Sequence, residues 1–107
     1  MKWMIEYTME AKEDIKALDG IQRKQVIKAI KKVSYNPLPN TEGGYGKPLG
    51  NHLTSNLAGC MKIKLLKLGL RVVYGIERKD GIMRIVIVSV RSDEDVYKMA
   101  YERLNIK

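Results

Sequence analysis

Apolar positions along this chain switch between two periods, one suited to helices and one to strands. From Met9 to Leu18 the residues Ala11, Ile15 and Leu18 recur four and three apart, which draws a narrow apolar stripe down one helix. Ahead of it, Met1 to Tyr7 mixes Trp3, Met4, Ile5 and Tyr7 with Lys2 and Glu6 and reads as a short strand, with Thr8 placed to cap the helix. Asp19-Gly20 interrupts the pattern. A second helix is predicted from Ile21 to about Tyr35, with Val26, Ile27, Ile30 and Val33 buried and Arg23, Lys24, Lys28, Lys31 and Lys32 elsewhere. Two helices in tandem imply a helical hairpin.

Asn36-Pro37-Leu38-Pro39-Asn40 ends the second helix, because proline lacks a backbone donor and biases its predecessor away from helical geometry. Gly43, Gly44, Gly46, Gly50 and Gly59 keep the next stretch irregular, while Leu49, Leu53 and Leu57 are expected to anchor it. Strands are predicted at Cys60 to Leu66, Leu70 to Ile76 and Ile82 to Val90, and a helix from Asp93 to Leu104. The breaks at Lys67-Leu68-Gly69 and Arg78-Lys79-Asp80-Gly81 have hairpin length, so neighbouring strands should run antiparallel. Asp93, Glu94 and Asp95 suit the positive end of the last helix. The expected class is α+β: a small antiparallel sheet packed on an N-terminal helical hairpin, order β-α-α-β-β-β-α. No internal repeat or boundary interrupts it, so residues 1–107 read as one domain.

Composition narrows the setting. With 45% hydrophobic and 30% charged residues the chain should fold as a globular domain. The longest apolar run, Ile85 to Val88, falls far short of the roughly 20 residues that a membrane span needs. No secretory leader pattern opens the chain, and the single cysteine, Cys60, cannot form an internal disulfide, so the cytoplasm is the expected location. Twenty Lys and Arg against 12 Asp and Glu give a formal charge of +8, which points to a polyanionic partner, nucleic acid or an acidic protein. Excess charge serving solubility is the plainer reading.

Candidate chemistry follows from strand alternation, since side chains two apart share a face. Met61, Ile63 and Leu65 point one way and Lys62 and Lys64 the other; in the next strand Leu70, Val72, Tyr74 and Ile76 oppose Arg71 and Val73. The apolar side should lie under the hairpin, leaving Lys62, Lys64 and Arg71 together as an anion-binding cluster. A solvated sheet face carrying ordinary lysines would look the same. Arg91, where the third strand ends, and Tyr97 on the helix after it could converge on that surface, by phosphate contact and by base stacking; Tyr97 and Tyr101 also fit plain amphipathic packing. Other signals are weak. His52 has no partner at ligand spacing, so no metal is implied. Gly43-Gly44-Tyr45-Gly46-Lys47 lacks the Gly-Lys-Ser/Thr ending of a phosphate loop, so no nucleotide cofactor is implied. Cys60 reads as a packing residue.

Lys47-Pro48-Leu49-Gly50-Asn51, Leu57-Ala58-Gly59-Cys60-Met61-Lys62-Ile63-Lys64-Leu65, Gly69-Leu70-Arg71-Val72-Val73-Tyr74 and Ile87-Val88-Ser89-Val90, with Asp95-Val96-Tyr97 in the closing helix, resemble the RelE/ParE superfamily of bacterial type II toxins. RelE-like members cut messenger RNA in the ribosomal A site; ParE-like members share the fold, lack the catalytic set and poison DNA gyrase. The RelE-type set has two alternating lysines, an arginine on the next strand, and an arginine six positions before a tyrosine. Lys62 and Lys64, Arg71, and Arg91 with Tyr97 fill those positions, although the connection after Val90 is shorter than in the familiar pattern.

The resemblance implies an endoribonuclease without a cofactor, in which the RNA's own 2′-hydroxyl attacks the adjacent phosphorus. Crowded cations favour a neutral lysine, so Lys64 is the expected base. Lys62 and Arg71 would stabilise the phosphorane, Arg91 the leaving oxygen, in an electrostatic role since arginine is a reluctant acid, and Tyr97 would stack on a base. Implied partners are a cognate antitoxin, the ribosome with its mRNA, and promoter DNA contacted through the antitoxin. A ParE-like gyrase inhibitor and a non-catalytic nucleic-acid-binding domain are the alternatives.

Overall fold

The structure, a computed structural model, describes residues 3–49, 60–90 and 93–105. A short strand β1 (Met4–Tyr7) leads into helices α1 (Met9–Lys16) and α2 (Gly20–Val33). Each helix begins on a side-chain cap. The Ala11 amide donates to the Thr8 hydroxyl at 3.1 Å, and at α2 the Gln22 amide donates to the Asp19 carboxylate at 2.8 Å while the Gln22 side chain accepts from the Asp19 amide. That reciprocal cap makes Gly20 the first residue of α2 rather than part of the break. Arg23 closes the hairpin by donating to the carbonyls of Ile15, Lys16 and Leu18, at the end of α1 and just beyond it.

After the proline-rich stop, a 3-10 turn (Asn40–Glu42) leads to β2 (Lys47–Pro48), and then come β3 (Cys60–Leu65), β4 (Leu70–Glu77), β5 (Ile82–Ser89) and α3 (Asp93–Asn105). The expected order of elements holds, with β2 as an addition. The five strands lie in the order β1-β5-β4-β3-β2. β2, β3, β4 and β5 pair antiparallel, as hairpin-length breaks require, but β1 joins β5 in parallel, so the sheet is mixed rather than wholly antiparallel. The intervening hairpin carries the chain over the sheet between those two strands, which is what a parallel connection needs.

The two sheet faces are covered by different elements. Ala11, Ile15, Val26, Ile30 and Val33 of the hairpin pack on Met61, Leu70, Val72, Tyr74, Met83, Ile85 and Val88. On the opposite face α3 lays Val96 and Ala100 against Val73, Val86 and Ile87, with Leu49 and Cys60 beside them. That face is therefore only partly solvated. An irregularity in the β4–β5 register explains how Val86 and Ile87 both reach it: Tyr74 lies opposite Ile85 and Val73 opposite Ile87, so Val86 is an extra residue in β5.

β1 ends at Tyr7, leaving the far half of β5 with unpaired backbone groups. A charged pair supplies the missing partners. The Val88 amide donates to Asp14 of α1 at 3.0 Å, Arg103 of α3 donates to the Val86 carbonyl at 2.7 Å, and Arg103 and Asp14 bond each other at 2.8 and 3.2 Å. This joins the layers around the rim of the sheet.

Candidate active site

Lys62 and Lys64 stand on β3 and Arg71 on β4, and the register sets Lys64 directly opposite Arg71. Directly opposed residues in antiparallel strands bring their Cβ atoms to about 5 Å. Since Met61, Leu70 and Val72 belong to the hairpin side, alternation puts all three cations on the face that α3 partly covers. Ser89 of β5 lies opposite Arg71, so Lys64, Arg71 and Ser89 form one cross-strand row at the end of the sheet. Lys62 occupies the next row, opposite Val73, and is only 7% exposed, whereas Lys64 is exposed and Arg71 half-buried. The expected grouping of these three residues is thus present.

Lys47 is a fourth cation, not anticipated from the sequence. It is exposed on β2 directly opposite Lys62. Its position depends on the loop before it. Buried Tyr74 donates its hydroxyl to the Pro37 carbonyl at 2.9 Å, and burial raises that phenol's pKa. Gly46 passes so close that a Cβ there would collide with the Tyr74 hydroxyl and with the Met61 sulfur. Only glycine allows that approach, and the approach places Lys47 in register with Lys62. The alternation Lys47-Pro48-Leu49, with Leu49 buried at 1% exposure, is the signal in the sequence; proline fits because β2 is an edge strand.

The chain segment that supplies β2, β3 and most of β4 is one-sided in charge. No Asp or Glu occurs between Glu42 and Glu77, a stretch holding Lys47, Lys62, Lys64, Lys67 and Arg71. Glu42 itself is held by Arg78 through bonds of 2.8 and 2.7 Å, and this pairing keeps its carboxyl below the usual range. At the other end of the same face Arg84 is flanked by Glu6, at 3.0 Å, and by Glu77. One end of the face therefore carries Arg84 with Glu6 and Glu77, and the other gathers Lys47, Lys62, Lys64 and Arg71, residue types able to meet phosphate oxygens.

Arg91 lies outside the described residues, as do His52, Leu53 and Leu57; of Tyr97 only the backbone, within α3, is described. Cys60 is buried beside Leu49 and Val73, and burial pushes its thiol pKa up, which suits packing rather than nucleophilic chemistry. Among the described residues no three His, Cys, Asp or Glu side chains gather as metal ligands, and no helix is long and apolar enough to cross a membrane.

No protein-family model matches the chain. A protein of Escherichia coli described as a RelE-like toxin is 29% identical over 105 residues, spanning 97% of this chain and 99% of that protein. Among solved structures, a double-arginine variant of the Escherichia coli RelE toxin in its free state superposes with a TM-score of 0.73 at 23% identity, over 96% of this chain and 98% of that one. The intact Escherichia coli RelBE toxin–antitoxin complex gives 0.64 at 21% identity, over 84% and 98%. The RelBE2 toxin–antitoxin complex of Mycobacterium tuberculosis gives 0.66 at 24% identity, over 85% and 93%.

Proposed function

We propose that this chain, RelE-like in fold and in sequence along nearly its whole length, is the toxin of a type II toxin–antitoxin system and an endoribonuclease that cuts mRNA in the ribosomal A site. The observation that carries the reading is the placement of Lys62, Lys64 and Arg71 on one face of adjacent strands, with Lys64 and Arg71 directly opposed. A phosphodiester lying across β3 and β4 would meet all three.

In the proposed reaction the RNA's 2′-oxygen bonds to the adjacent phosphorus while its proton passes to the Lys64 amine. The bond from phosphorus to the 5′-oxygen then breaks, and that oxygen takes up a proton, leaving a 2′,3′-cyclic phosphate and a 5′-hydroxyl. Lys62 and Arg71 bear on the phosphorane, where two negative oxygens gather charge. A cation positioned before the reaction stabilises this charge with little reorganisation, and Lys62 is held in place by its burial between β2 and β4. We assign Arg91 to the leaving oxygen and Tyr97 to stacking on a base, completing the set of five. Because the ribosome presents the message, it also supplies the choice of codon. A cognate antitoxin neutralises the toxin, and the pair contacts promoter DNA through the antitoxin; the site of action is the cytoplasm. Two of the solved structures with this fold are toxin–antitoxin complexes, which supports the antitoxin partner.

Primer extension on cellular transcripts after expression of the chain tests the reading. Discrete cuts inside translated frames are expected, and Lys64→Ala should abolish them, a loss of at least about a hundredfold for a general base. An intact message pool with linearised DNA would instead establish the gyrase-directed alternative, and salt-sensitive RNA binding without cutting or growth arrest the non-catalytic one.

A further inference from the structure

Of the cations gathered on β2, β3 and β4, Lys62, Lys64 and Arg71 have a place in the proposed reaction, and Lys47 has none. Lys47 is exposed on the edge strand, directly opposite Lys62, and among the described residues it joins no ion pair. Much local structure serves to put it there. The Tyr45 amide donates to the Asn36 carbonyl at 2.9 Å, the Gly46 amide to the Leu38 carbonyl at 3.0 Å and the Asn40 amide to the Gly46 carbonyl at 2.6 Å, so the loop closes on itself just before Lys47. Just after it, Pro48 lies opposite Met61, and the Leu49 amide donates to the Cys60 carbonyl at 3.2 Å while the Leu49 side chain is buried. Lys47 is thus fixed from both sides, at buried Gly46 and at buried Leu49.

For the fold alone this placement is unfavourable. Like charges directly opposed in antiparallel strands repel, and Lys62 is nearly buried, where solvent ions screen the pair poorly. A strand of two residues offers few backbone bonds in compensation. The layout of the cations supplies a use. Lys47 lies one strand spacing beyond Lys62 on the side away from β4, so its Cα and that of Arg71 are roughly 12 Å apart, two strand spacings across and two residues along. The cations therefore run diagonally from β4 to the open edge of the sheet, as a track rather than a ring around one point. A phosphate seated between Lys64 and Arg71 leaves Lys47 facing the next phosphate of an extended strand. We infer that Lys47 holds the phosphate one linkage from the scissile bond and so fixes the path of the message over the edge of the sheet. An exposed ammonium suits that task, because backbone contacts set the register of a nucleic acid without reading its bases, and lysine binds as a point charge with no fork to align. Its part is binding and positioning; no proton passes through it. The inference rests on the proposed cleavage of mRNA and adds the route by which the strand leaves the site.

The test uses the full chain and ribosomes programmed with a message that carries an uncharged methylphosphonate at one or the other linkage next to the scissile one. On the unmodified message Lys47→Gln should raise the half-saturating concentration about tenfold, the loss of one charge-assisted contact, and leave the single-turnover rate at saturation within about twofold. Lys47→Arg should restore the parent value. A methylphosphonate at one of the two linkages should cost the parent about tenfold and cost Lys47→Gln nothing more. Circular dichroism and thermal unfolding should show Lys47→Gln folded and no less stable, since removing one of two opposed charges relieves repulsion. An equal loss in parent and variant at both linkages would overturn the inference, because Lys47 would then serve some other group. So would an unchanged half-saturating concentration in Lys47→Gln. Equilibrium binding of the same messages, with the scissile nucleotide lacking its 2′-hydroxyl, separates this inference from the nuclease reading. Absence of the coupling in a chain that cuts removes only the role of Lys47, and its presence in a chain that does not cut removes only the cleavage.

Discussion

The two faces of this sheet are built from the same three long strands, yet one is devoted to cohesion and the other is divided. Beneath the hairpin, Met61, Leu70, Val72, Tyr74, Met83, Ile85 and Val88 form an apolar surface without a charged residue. Beneath α3 the apolar patch is smaller, and beyond it the same strands present Lys62, Lys64 and Arg71, with Lys47 alongside. Clustered cations are an electrostatic burden on a fold, so their presence on strands whose other side is fully apolar separates two tasks within each strand. Alternate residues hold the domain together, and those between them are available for chemistry.

Substitutions on the two faces should therefore fail differently. Ile30→Ala, at a fully buried position in the hairpin layer, should cost about 2 to 5 kcal/mol in denaturant unfolding, while Lys64→Ala should stay within about 0.5 kcal/mol of the parent and lose activity instead. Equal destabilisation by both would erase the distinction. Asp14→Ala should cost about 2 to 3 kcal/mol, because it strips a partner from both the Val88 amide and the Arg103 guanidinium and so loosens α3 over the divided face. Hydrogen exchange should then accelerate at Val88 before it does at Val72.

The smallest effect concerns the loop that delivers Lys47. Arg78 depresses the carboxyl of Glu42 below its unfolded value, so this pair stabilises the fold above the ordinary carboxylate range and loses that contribution as pH falls through the folded value. Glu42→Gln should lower stability slightly above about pH 6, where the parent keeps the pair, and approach the parent as pH falls toward about 3, the difference being small because the pair is solvent-exposed. Thermal unfolding at pH 3 to 7 would measure it, and an identical acid limb in the variant would show that the clamp contributes nothing.

What could be read from the sequence was whatever depends on neighbours along the chain. Ala11, Ile15, Val26, Ile30 and Val33 announced the hairpin through their spacing, and the alternation Met61-Lys62-Ile63-Lys64 assigned faces correctly. Pairings between distant segments were not legible. The parallel contact of Met4–Tyr7 with β5 leaves no local trace, and β2 is two residues long, too short for a period. The extra residue at Val86 shifts the phase of β5 in a way that an unbroken apolar run conceals. Lys47 was visible as a residue but not as a neighbour of Lys62, because the approach depends on Gly46 lying against Tyr74, from a strand far along the chain.

The Asp14–Arg103 pair bears on how this molecule avoids sticking to itself. Where β1 departs, the Val86 carbonyl and the Val88 amide would offer a foreign strand a ready template, and unprotected strand margins are where β-rich proteins aggregate. Two side chains from opposite layers occupy those bonding positions and place opposite charges on the margin. Protection of this margin thus rests on a guanidinium of α3, so cutting that helix before Arg103 would expose an adhesive margin even where the hydrophobic interior stayed intact.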